Sequence, residues 1–144
     1  MANHLHLYTD GGARGNPGSA GIGGILKDPD SGTICESFGR YIGERTNNQA
    51  EYEALIEGLT RAKQNGAKRV DCFLDSQLVV EQMKQRYRVK DGELAKLFVK
   101  AWNLTHEFSK GTFTHIPREQ NADADRMVNR AIDEETKESG ISMA

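Results

Sequence analysis

Features that would assign a protein to a membrane, secretory or disulfide-rich class are missing from this sequence of 144 residues. No apolar run approaches the roughly 20 residues that span a bilayer, and residues 1–4 lack the basic-then-apolar pattern that opens a signal peptide. Only two cysteines occur, Cys35 and Cys72, without a CxxC pair, which argues against a disulfide and against a zinc site. We therefore expect a cytoplasmic protein with two free thiols and no membrane contact.

An excess of positive charge is also missing, since the formal net charge is -2. This total does not indicate a nucleic-acid binder, although setting four carboxylates aside as a metal site would leave the remainder net positive. Four cations lie close together around Tyr87, and they are Lys84, Arg86, Arg88 and Lys90. On charge alone this cluster is better explained as a solvated helix end than as a surface that contacts phosphates.

Hydrophobic periodicity predicts a single α/β domain over residues 1–137, followed by a frayed tail at 138–144. The expected strands are 4–8 (reaching Asp10), 21–26, 33–42, 69–74 and 111–117, with turns at 11–18 and 28–32. The expected helices are 48–64, 76–86, 92–108 and 121–137, with Ser76 and Asn121 as caps. Because a crossover precedes the fourth strand, we expect a mixed sheet with helices packed against it. The glycines of the second strand predict that another segment packs closely on it.

Four acidic residues occupy positions that need a reason. Asp10 and Asp75 each follow an apolar strand directly, and the ends of neighbouring strands in an open sheet commonly carry ligands. Glu51 lies on the apolar, inward face of its helix, where an acid is costly unless it is paired or bound to metal. Asp125 also lies on a largely inward face, whereas Asp123 points elsewhere. These positions predict one acidic cluster.

Such a cluster indicates metal chemistry. Carboxylates aimed at one region raise each other's pKa values, and a hard cation such as Mg²⁺ removes that repulsion. Two ions about 4 Å apart can activate a water and stabilise the leaving oxygen in phosphodiester cleavage. Each acid alone has an ordinary explanation: Asp10 and Asp75 could be plain strand-end acids, Glu51 could serve the helix dipole, and Asp125 could pair with an arginine. Four separate ordinary explanations are less probable together than one shared metal site. We therefore expect two Mg²⁺ ions, with Mn²⁺ as the alternative metal.

Four short motifs span residues 8 to 125. They are Tyr8-Thr9-Asp10-Gly11-Gly12 with Gly15-Asn16-Pro17-Gly18, Thr46-Asn47-Asn48-Gln49-Ala50-Glu51, Leu74-Asp75-Ser76-Gln77-Leu78-Val79, and the run from His115 to Asp125. In this order and at these separations they resemble the motifs of type I ribonucleases H. The resemblance implies a ribonuclease H-like α/β fold, in which a mixed five-stranded sheet (three antiparallel strands, then parallel strands) has helices on both faces. It also implies an endonuclease that hydrolyses the RNA strand of RNA–DNA hybrids with two metal ions, leaving 5′-phosphate and 3′-hydroxyl ends. We expect a monomer without an organic cofactor.

The resemblance assigns roles residue by residue. Its catalytic, metal-binding acids are the four selected by burial, Asp10, Glu51, Asp75 and Asp125. Its substrate contacts are Gly11, Asn16, Asn47, Asn48 and Gln77, with Thr46 at a phosphate of the DNA strand. Asparagine and glutamine amides can both donate to and accept from the 2′-hydroxyl that separates RNA from DNA. His115 matches a histidine that assists proton transfer or product release, but its neighbours equally favour a histidine packed at the strand end.

Two departures from the family pattern matter. The arginine that usually accompanies Thr46 is displaced by one position, to Arg45, which weakens that phosphate pocket. Residues 83–94 are too short for the basic, tryptophan-containing protrusion of the best-known bacterial form, and Trp102 is expected in the core. The sequence therefore predicts the branch without a protrusion, in which Arg86 and Arg88 must supply phosphate contacts.

Other functions stay open at this point. A resolvase or transposase core that cuts DNA would keep the acidic cluster but would not need Asn16, Asn47 and Asn48. A non-catalytic nucleic-acid-binding module would keep the fold, but such domains usually lose part of the acidic set. The glycine-rich run 11–18 lacks the GxxxxGK[ST] spacing of a P-loop, which argues against a nucleotide-dependent switch.

Overall fold

The protein forms one five-stranded sheet flanked by helices. The computed structural model describes the backbone of residues 3–143 and the side chains of residues 3–137. The strands are β1 (His4–Gly15), β2 (Gly18–Lys27), β3 (Ile34–Arg45), β4 (Arg69–Leu74) and β5 (Lys110–His115). The helices are α1 (Asn47–Gln64), α2 (Gln77–Met83), α3 (Gly92–Thr105) and α4 (Ala122–Met143), with a short 3₁₀ helix at Arg118–Asn121.

The sheet has the predicted mixed topology. Its strand order is β3-β2-β1-β4-β5, with β1, β2 and β3 antiparallel and β4 parallel to both β1 and β5. The last register pair between β1 and β4 is Thr9 with Leu74, after which β1 continues alone on that side. This offset leaves an open space beside β1 at the end of β4.

Helices cover both faces of the sheet. On one face, Leu5 and Leu7 of β1 join Leu55 and Leu59 of α1 in the main core. On the other face α4 lies close to β2, because a Cβ at Gly23 would come within 2.5 Å of the Ala124 carbonyl oxygen. The prediction that the glycines of this strand admit a close neighbour is thus confirmed.

Helix α1 is fixed at both ends by its own sequence. Thr46 and Gln49 form a capping box, in which Thr46 Oγ1 accepts from Gln49 N at 3.2 Å and Gln49 Oε1 accepts from Thr46 N at 2.9 Å. At the other end Gly66 has a φ of +83°, which favours glycine and ends the helix as predicted. The rigid start of α1 determines where Glu51 lies.

Strand β1 is longer than predicted. The run 11–18 was expected to be a tight turn, but β1 continues to Gly15 and only Asn16 and Pro17 turn the chain. Pairing with β2, such as Ala13 with Ala20, overrides the local turn preference of these glycines. Gly11 serves close packing instead, since a Cβ there would lie 2.1 Å from the Ala50 carbonyl oxygen.

Three helix ends also differ from prediction. Helix α2 ends at Met83 rather than near Arg86, because Gln85 has a left-handed φ of 61° that a helix cannot accommodate. Helix α3 ends at Thr105 rather than Phe108. Helix α4 continues beyond Lys137. The frayed tail expected at 138–144 falls outside the residues whose side chains are described, so it stays a prediction.

Two smaller expectations, on the cysteine thiols and on Trp102, are confirmed. Cys35 is exposed and Cys72 is buried, and both are free thiols. Trp102 is half-buried and packs against the main core. Within the described part of the chain, every helix is too short or too polar to cross a membrane.

Candidate active site

The acidic cluster lies where β4 stops and β1 continues. The register pair of Thr9 and Leu74 makes Asp10 and Asp75 the next residues on the two strands, side by side at the open edge. Helix α1 brings Glu51 to the same place, and α4 brings Asp125. Four separate elements therefore contribute one carboxylate each to a single cleft of about 480 Å³.

Three of the four acids are in direct reach of one another. One carboxylate oxygen from each of Asp10, Glu51 and Asp75 lies within 4.8 Å of the others. Asp125 lines the same cleft but is not part of this tight group. Asp123, which the helical spacing turns away, does not line the cleft. The predicted choice between Asp123 and Asp125 agrees with this geometry.

These carboxylates have few hydrogen-bond donors around them. The Gly11 backbone N–H donates to Glu51 Oε1 at 3.0 Å, while Glu51 Oε2 is buried without a hydrogen-bond partner. Burial, reinforced by Asp75 and Asp125, raises the pKa of Asp10 to about 7. Burial and the nearby Asp10 raise the pKa of Glu51 well above its usual value, and burial likewise raises that of Asp75. A bound cation would satisfy the unpartnered oxygen and remove the mutual repulsion.

Asn121 holds Asp75 in place and does not cap a helix. Its Nδ2 donates to the Thr9 carbonyl at 2.9 Å and to Asp75 Oδ2 at 3.4 Å. Its Oδ1 is buried and has no partner, so the predicted cap of the last helix is wrong. The sequence pattern suggested a cap because asparagine favours helix starts, but a buried amide can instead tie a strand to a catalytic acid.

Two of the predicted substrate contacts fasten the β1–β2 hairpin to α1. Asn47 Oδ1 accepts from Ala13 N at 2.8 Å, and Asn16 Oδ1 accepts from Asn47 N at 3.0 Å. Both residues are exposed. Asn47 and Asn48 both line the cleft, and Gln77 is exposed at the start of α2.

The predicted phosphate pocket consists of groups that already have structural partners. Thr46 is the cap of α1 described above. Arg45 Nε donates to Glu53 Oε2 at 2.8 Å, which fixes the displaced arginine in a local ion pair. Gly11, predicted as a substrate contact outside this pocket, is buried, and its backbone N–H donates to Glu51 Oε1. Their roles towards substrate stay predictions.

The cationic cluster lies outside the acidic cleft. Arg86 and Arg88 are exposed in the irregular segment 84–91, where they border a separate depression with Tyr87 and Val99. Arg86 Nη1 lies 3.6 Å from Glu81 Oε2, a distance that makes only a weak surface ion pair. The structure thus does not bring these arginines together with the carboxylates.

Two arginines that the sequence reasoning missed do line the cleft, Arg14 and Arg118. Arg14 is oriented by Asp133, with 2.6 Å between Nη1 and Oδ1. Arg118 lies near enough to Asp75 to oppose the rise of its pKa. Their signal in the sequence was their position: Arg14 lies between the two parts of the first motif, and Arg118 lies inside the motif from His115 to Asp125.

His115 is exposed at the end of β5 and does not line the cleft. Its charge influences Asp75, so the imidazole lies on the Asp75 side of the acidic cluster. The exposure disfavours the packing role and leaves the assisting role as a prediction.

Comparison with known proteins identifies the family. A family model described as "Reverse transcriptase-like" matches residues 8–131. A bifunctional protein of Mycobacterium tuberculosis is 44% identical over 127 residues, which cover 88% of this chain and 35% of that protein. Ribonuclease HI of Halobacterium salinarum is 41% identical over 130 residues, covering 90% of this chain and 65% of that protein. The chain therefore spans less than two thirds of the length of either relative.

Solved structures give the same family. The crystal structure of RNase H1 from Halobacterium salinarum superposes with a TM-score of 0.89 at 40% identity, covering 91% of this chain and 98% of that one. LC11-RNase H1, solved in complex with an RNA/DNA hybrid, gives a TM-score of 0.87 at 44% identity, covering 92% of this chain and 99% of that one. With the fold, the motifs and the acidic cleft in agreement, the chain belongs to the type I ribonuclease H family.

Proposed function

We propose that this protein is a metal-dependent endonuclease that hydrolyses the RNA strand of RNA–DNA hybrids. The observation that carries the proposal is the group formed by Asp10, Glu51 and Asp75, whose oxygens converge within 4.8 Å without a cationic partner for Glu51 Oε2. A buried cluster of this kind destabilises a metal-free protein, so its presence needs a functional reason. The relative solved with an RNA/DNA hybrid supports the choice of substrate.

The four carboxylates are proposed to hold two divalent ions. Oxygen-only donors favour Mg²⁺, with Mn²⁺ as the alternative. Two such ions, when bound, would activate the attacking water and stabilise the leaving 3′ oxygen, giving 5′-phosphate and 3′-hydroxyl ends. Asn121 acts by holding Asp75 through its Nδ2, and Gly11 by fixing one oxygen of Glu51.

Selection for RNA is proposed to come from amides along the cleft. Asn47 and Asn48 line the cleft, and Asn16 Oδ1 accepts a hydrogen bond from the Asn47 backbone N–H. Gln77 lies exposed beside Ser76. Amides can contact the 2′-hydroxyls of more than one sugar. We therefore expect cleavage to require several consecutive ribonucleotides. Efficient cutting beside one isolated ribonucleotide would contradict this specificity.

The exposed cations are proposed to contact the phosphates. Arg14 and Arg118 line the cleft and are proposed to contact the strand bound there. Arg86 and Arg88 lie outside the cleft and are proposed to contact a more distant part of the hybrid. Thr46 is proposed to contact a phosphate of the DNA strand. His115 is proposed to assist proton transfer or product release beside Asp75.

A labelled-strand cleavage assay tests the proposal. The full chain is incubated with an RNA–DNA hybrid, a DNA duplex or an RNA duplex, each with Mg²⁺ or with a chelator. We expect cleavage of the RNA strand in the hybrid only, and only with Mg²⁺. Cleavage of the DNA duplex would indicate a DNA-cutting nuclease on this fold. Hybrid binding without any cleavage would indicate a non-catalytic module.

A further inference from the structure

A second cluster of possible metal ligands lies at the start of β1. His4 and His6 are two residues apart on one strand and therefore point to the same face of the sheet. The parallel register places Asp71 of β4 directly beside His6. One ligand atom from each of the three residues lies within 4.8 Å of the others.

The cluster combines a buried carboxylate with accessible imidazoles. The side chain of Asp71 is 10% exposed, against 35% for His4 and 28% for His6. Asp71 Oδ2 lies 2.6 Å from His4 Nε2 and 3.5 Å from His6 Nε2, so one oxygen faces both rings. The other oxygen, Oδ1, accepts from Thr112 Oγ1 at 2.6 Å.

The hydrogen bond from Thr112 to Asp71 resembles those that orient a ligand at metal sites. A carboxylate held on one oxygen by a hydroxyl keeps its second oxygen directed, as outer hydrogen bonds do at metal sites. Tetrahedral zinc with bonds of about 2.0–2.1 Å separates its ligand atoms by roughly 3.3 Å. The 3.5 Å between His6 Nε2 and Asp71 Oδ2 is close to that value. The half-buried His4, whose Nε2 lies 2.6 Å from the same oxygen, would have to move slightly away from it.

We propose that His4, His6 and Asp71 form a second metal site, which binds a divalent transition metal such as Zn²⁺ and not Mg²⁺. Two imidazoles and one carboxylate are the donor set that such metals favour, whereas Mg²⁺ favours oxygen alone. The fourth position faces solvent and takes a water. Cysteine content had argued against zinc, but this site uses none of the cysteines.

The site is separate from the acidic cleft. His6 precedes Asp10 by four residues of extended strand, a separation of about 13 Å. The cation Arg69 lies 3.4 Å from Asp71 Oδ1, on the oxygen that the metal does not use, and its side chain is 45% exposed. It can turn towards solvent when a cation binds. The bound metal would tie the start of β1 to β4 and stabilise the fold.

Calorimetric titration with Zn²⁺ tests the proposal. The full chain is titrated in excess Mg²⁺, which occupies the oxygen-only cleft. We expect one Zn²⁺ per chain. The affinity for Zn²⁺ should fall at least about 10-fold in His6→Gln and in His4→Gln, because even the loss of a residue that only hydrogen-bonds to a metal ligand typically weakens metal binding by that much. His106→Gln, which changes an exposed histidine on another surface, is the matched control and should bind as the unchanged chain does.

Two further readouts keep the outcome interpretable. Far-ultraviolet circular dichroism and a cooperative melt establish that each variant folds. His4, the more exposed of the two histidines, provides the milder substitution. Co²⁺ should give a visible absorption band that His6→Gln loses. Equal Zn²⁺ affinity in the unchanged chain and both histidine variants would overturn the proposal, as would loss of binding in Asp75→Asn instead.

Discussion

Two polar clusters lie along strand β1: the group of His4, His6 and Asp71 at its start, and the acidic cluster around Asp10. Their buried carboxylates have opposite electrostatic surroundings. Burial raises the pKa of Asp71, but hydrogen bonds from Thr112, His4 and Arg69 outweigh burial and bring the pKa down to about 2. Asp10 has acids for neighbours, and burial raises its pKa to about 7. Both residues expose little surface to solvent. Burial is the main cause of the raised pKa of Asp10, whereas at Asp71 the surrounding donors outweigh it.

The contrast separates a carboxylate that has hydrogen-bond donors in the metal-free protein from carboxylates that have few. A buried carboxylate surrounded by donors contributes to stability. A group of buried carboxylates that have few donors and repel one another reduces stability until a cation binds. Burial alone would have selected Asp10, Glu51 and Asp71 together. The neighbouring groups distinguish them, because Asp10 and Glu51 have other acids beside them and Asp71 has hydrogen-bond donors.

The largest effect should follow from removing charge in the acidic cleft. Asp10→Asn and Asp75→Asn should each lower hybrid cleavage by about 10²- to 10³-fold or more, as when a group that stabilises developing charge is removed. Shape is nearly unchanged, so both variants should fold. Steady-state cleavage at moderate Mg²⁺ measures the loss.

Helix α4 offers a matched pair for the same test. Asp125→Asn should lose cleavage, whereas Asp123→Asn should not, because Asp123 lies outside the cleft and pairs with Arg126 at 3.3 Å. Near-normal turnover in Asp10→Asn, Asp75→Asn or Asp125→Asn would remove that residue from the mechanism.

His115 should have the next largest effect. If its imidazole assists turnover beside Asp75, His115→Ala should lower kcat by about 10- to 100-fold, within the range of acid–base assistance. KM and Tm should hardly change, because the side chain is exposed. A lower Tm with kcat preserved would instead give His115 a packing role.

The two clusters should respond oppositely to pH in the metal-free protein. Folding raises the pKa of Asp10 from 3.8 to about 7. Its contribution to the stability of the fold is therefore most favourable below about pH 4 and is lost as the pH rises through 7. Folding lowers the pKa of Asp71 from 3.8 to about 2. Its contribution to stability is therefore present above about pH 4 and is lost towards pH 2.

Urea unfolding with a chelator measures this difference. At about pH 8, Asp10→Asn should raise the free energy of unfolding by about 1–3 kcal/mol, and Asp71→Asn should lower it by about 2 kcal/mol. Both differences should shrink as the pH falls, that of Asp10 by about pH 4 and that of Asp71 by about pH 2. Changes of the same sign in both variants would refute the comparison.

The smallest effect is expected in the cationic cluster, which lies apart from both carboxylate groups. Arg86→Ala with Arg88→Ala should raise KM several-fold at low salt, leave kcat nearly unchanged and reduce the salt dependence of binding. Arg130→Ala, an exposed arginine paired with Glu134 on α4, is the matched control. An unchanged KM would mean that Arg86 and Arg88 form only a solvated surface.

Much of the fold was predictable because local and tertiary preferences agree. The run Arg69–Leu74 reads as a strand and is one, and the apolar face of α1 places Glu51 inward as expected. Prediction failed where a distant partner decides. The glycines after Asp10 favour a turn, yet pairing with β2 extends the strand.

The acids of the site were predictable, but their supporting contacts were not. Four carboxylates on strand ends and inward helix faces can be recognised from spacing alone. The bond from Asn121 to Asp75, and that from Asn16 to the start of α1, join residues distant in sequence. Periodicity carries no signal for contacts of that kind, and the same holds for the pairing of His4 with Asp71.

The central claim is that the acidic cleft is assembled for a divalent cation. Calorimetric titration of Mg²⁺ near pH 7, in two buffers of different ionisation enthalpy, tests it directly because it counts the protons released on binding. With the pKa of Asp10 raised to about 7, the unchanged chain should bind Mg²⁺ and release protons, and Asp10→Asn should bind more weakly and release fewer. Equal binding and equal proton release in both proteins would contradict the account.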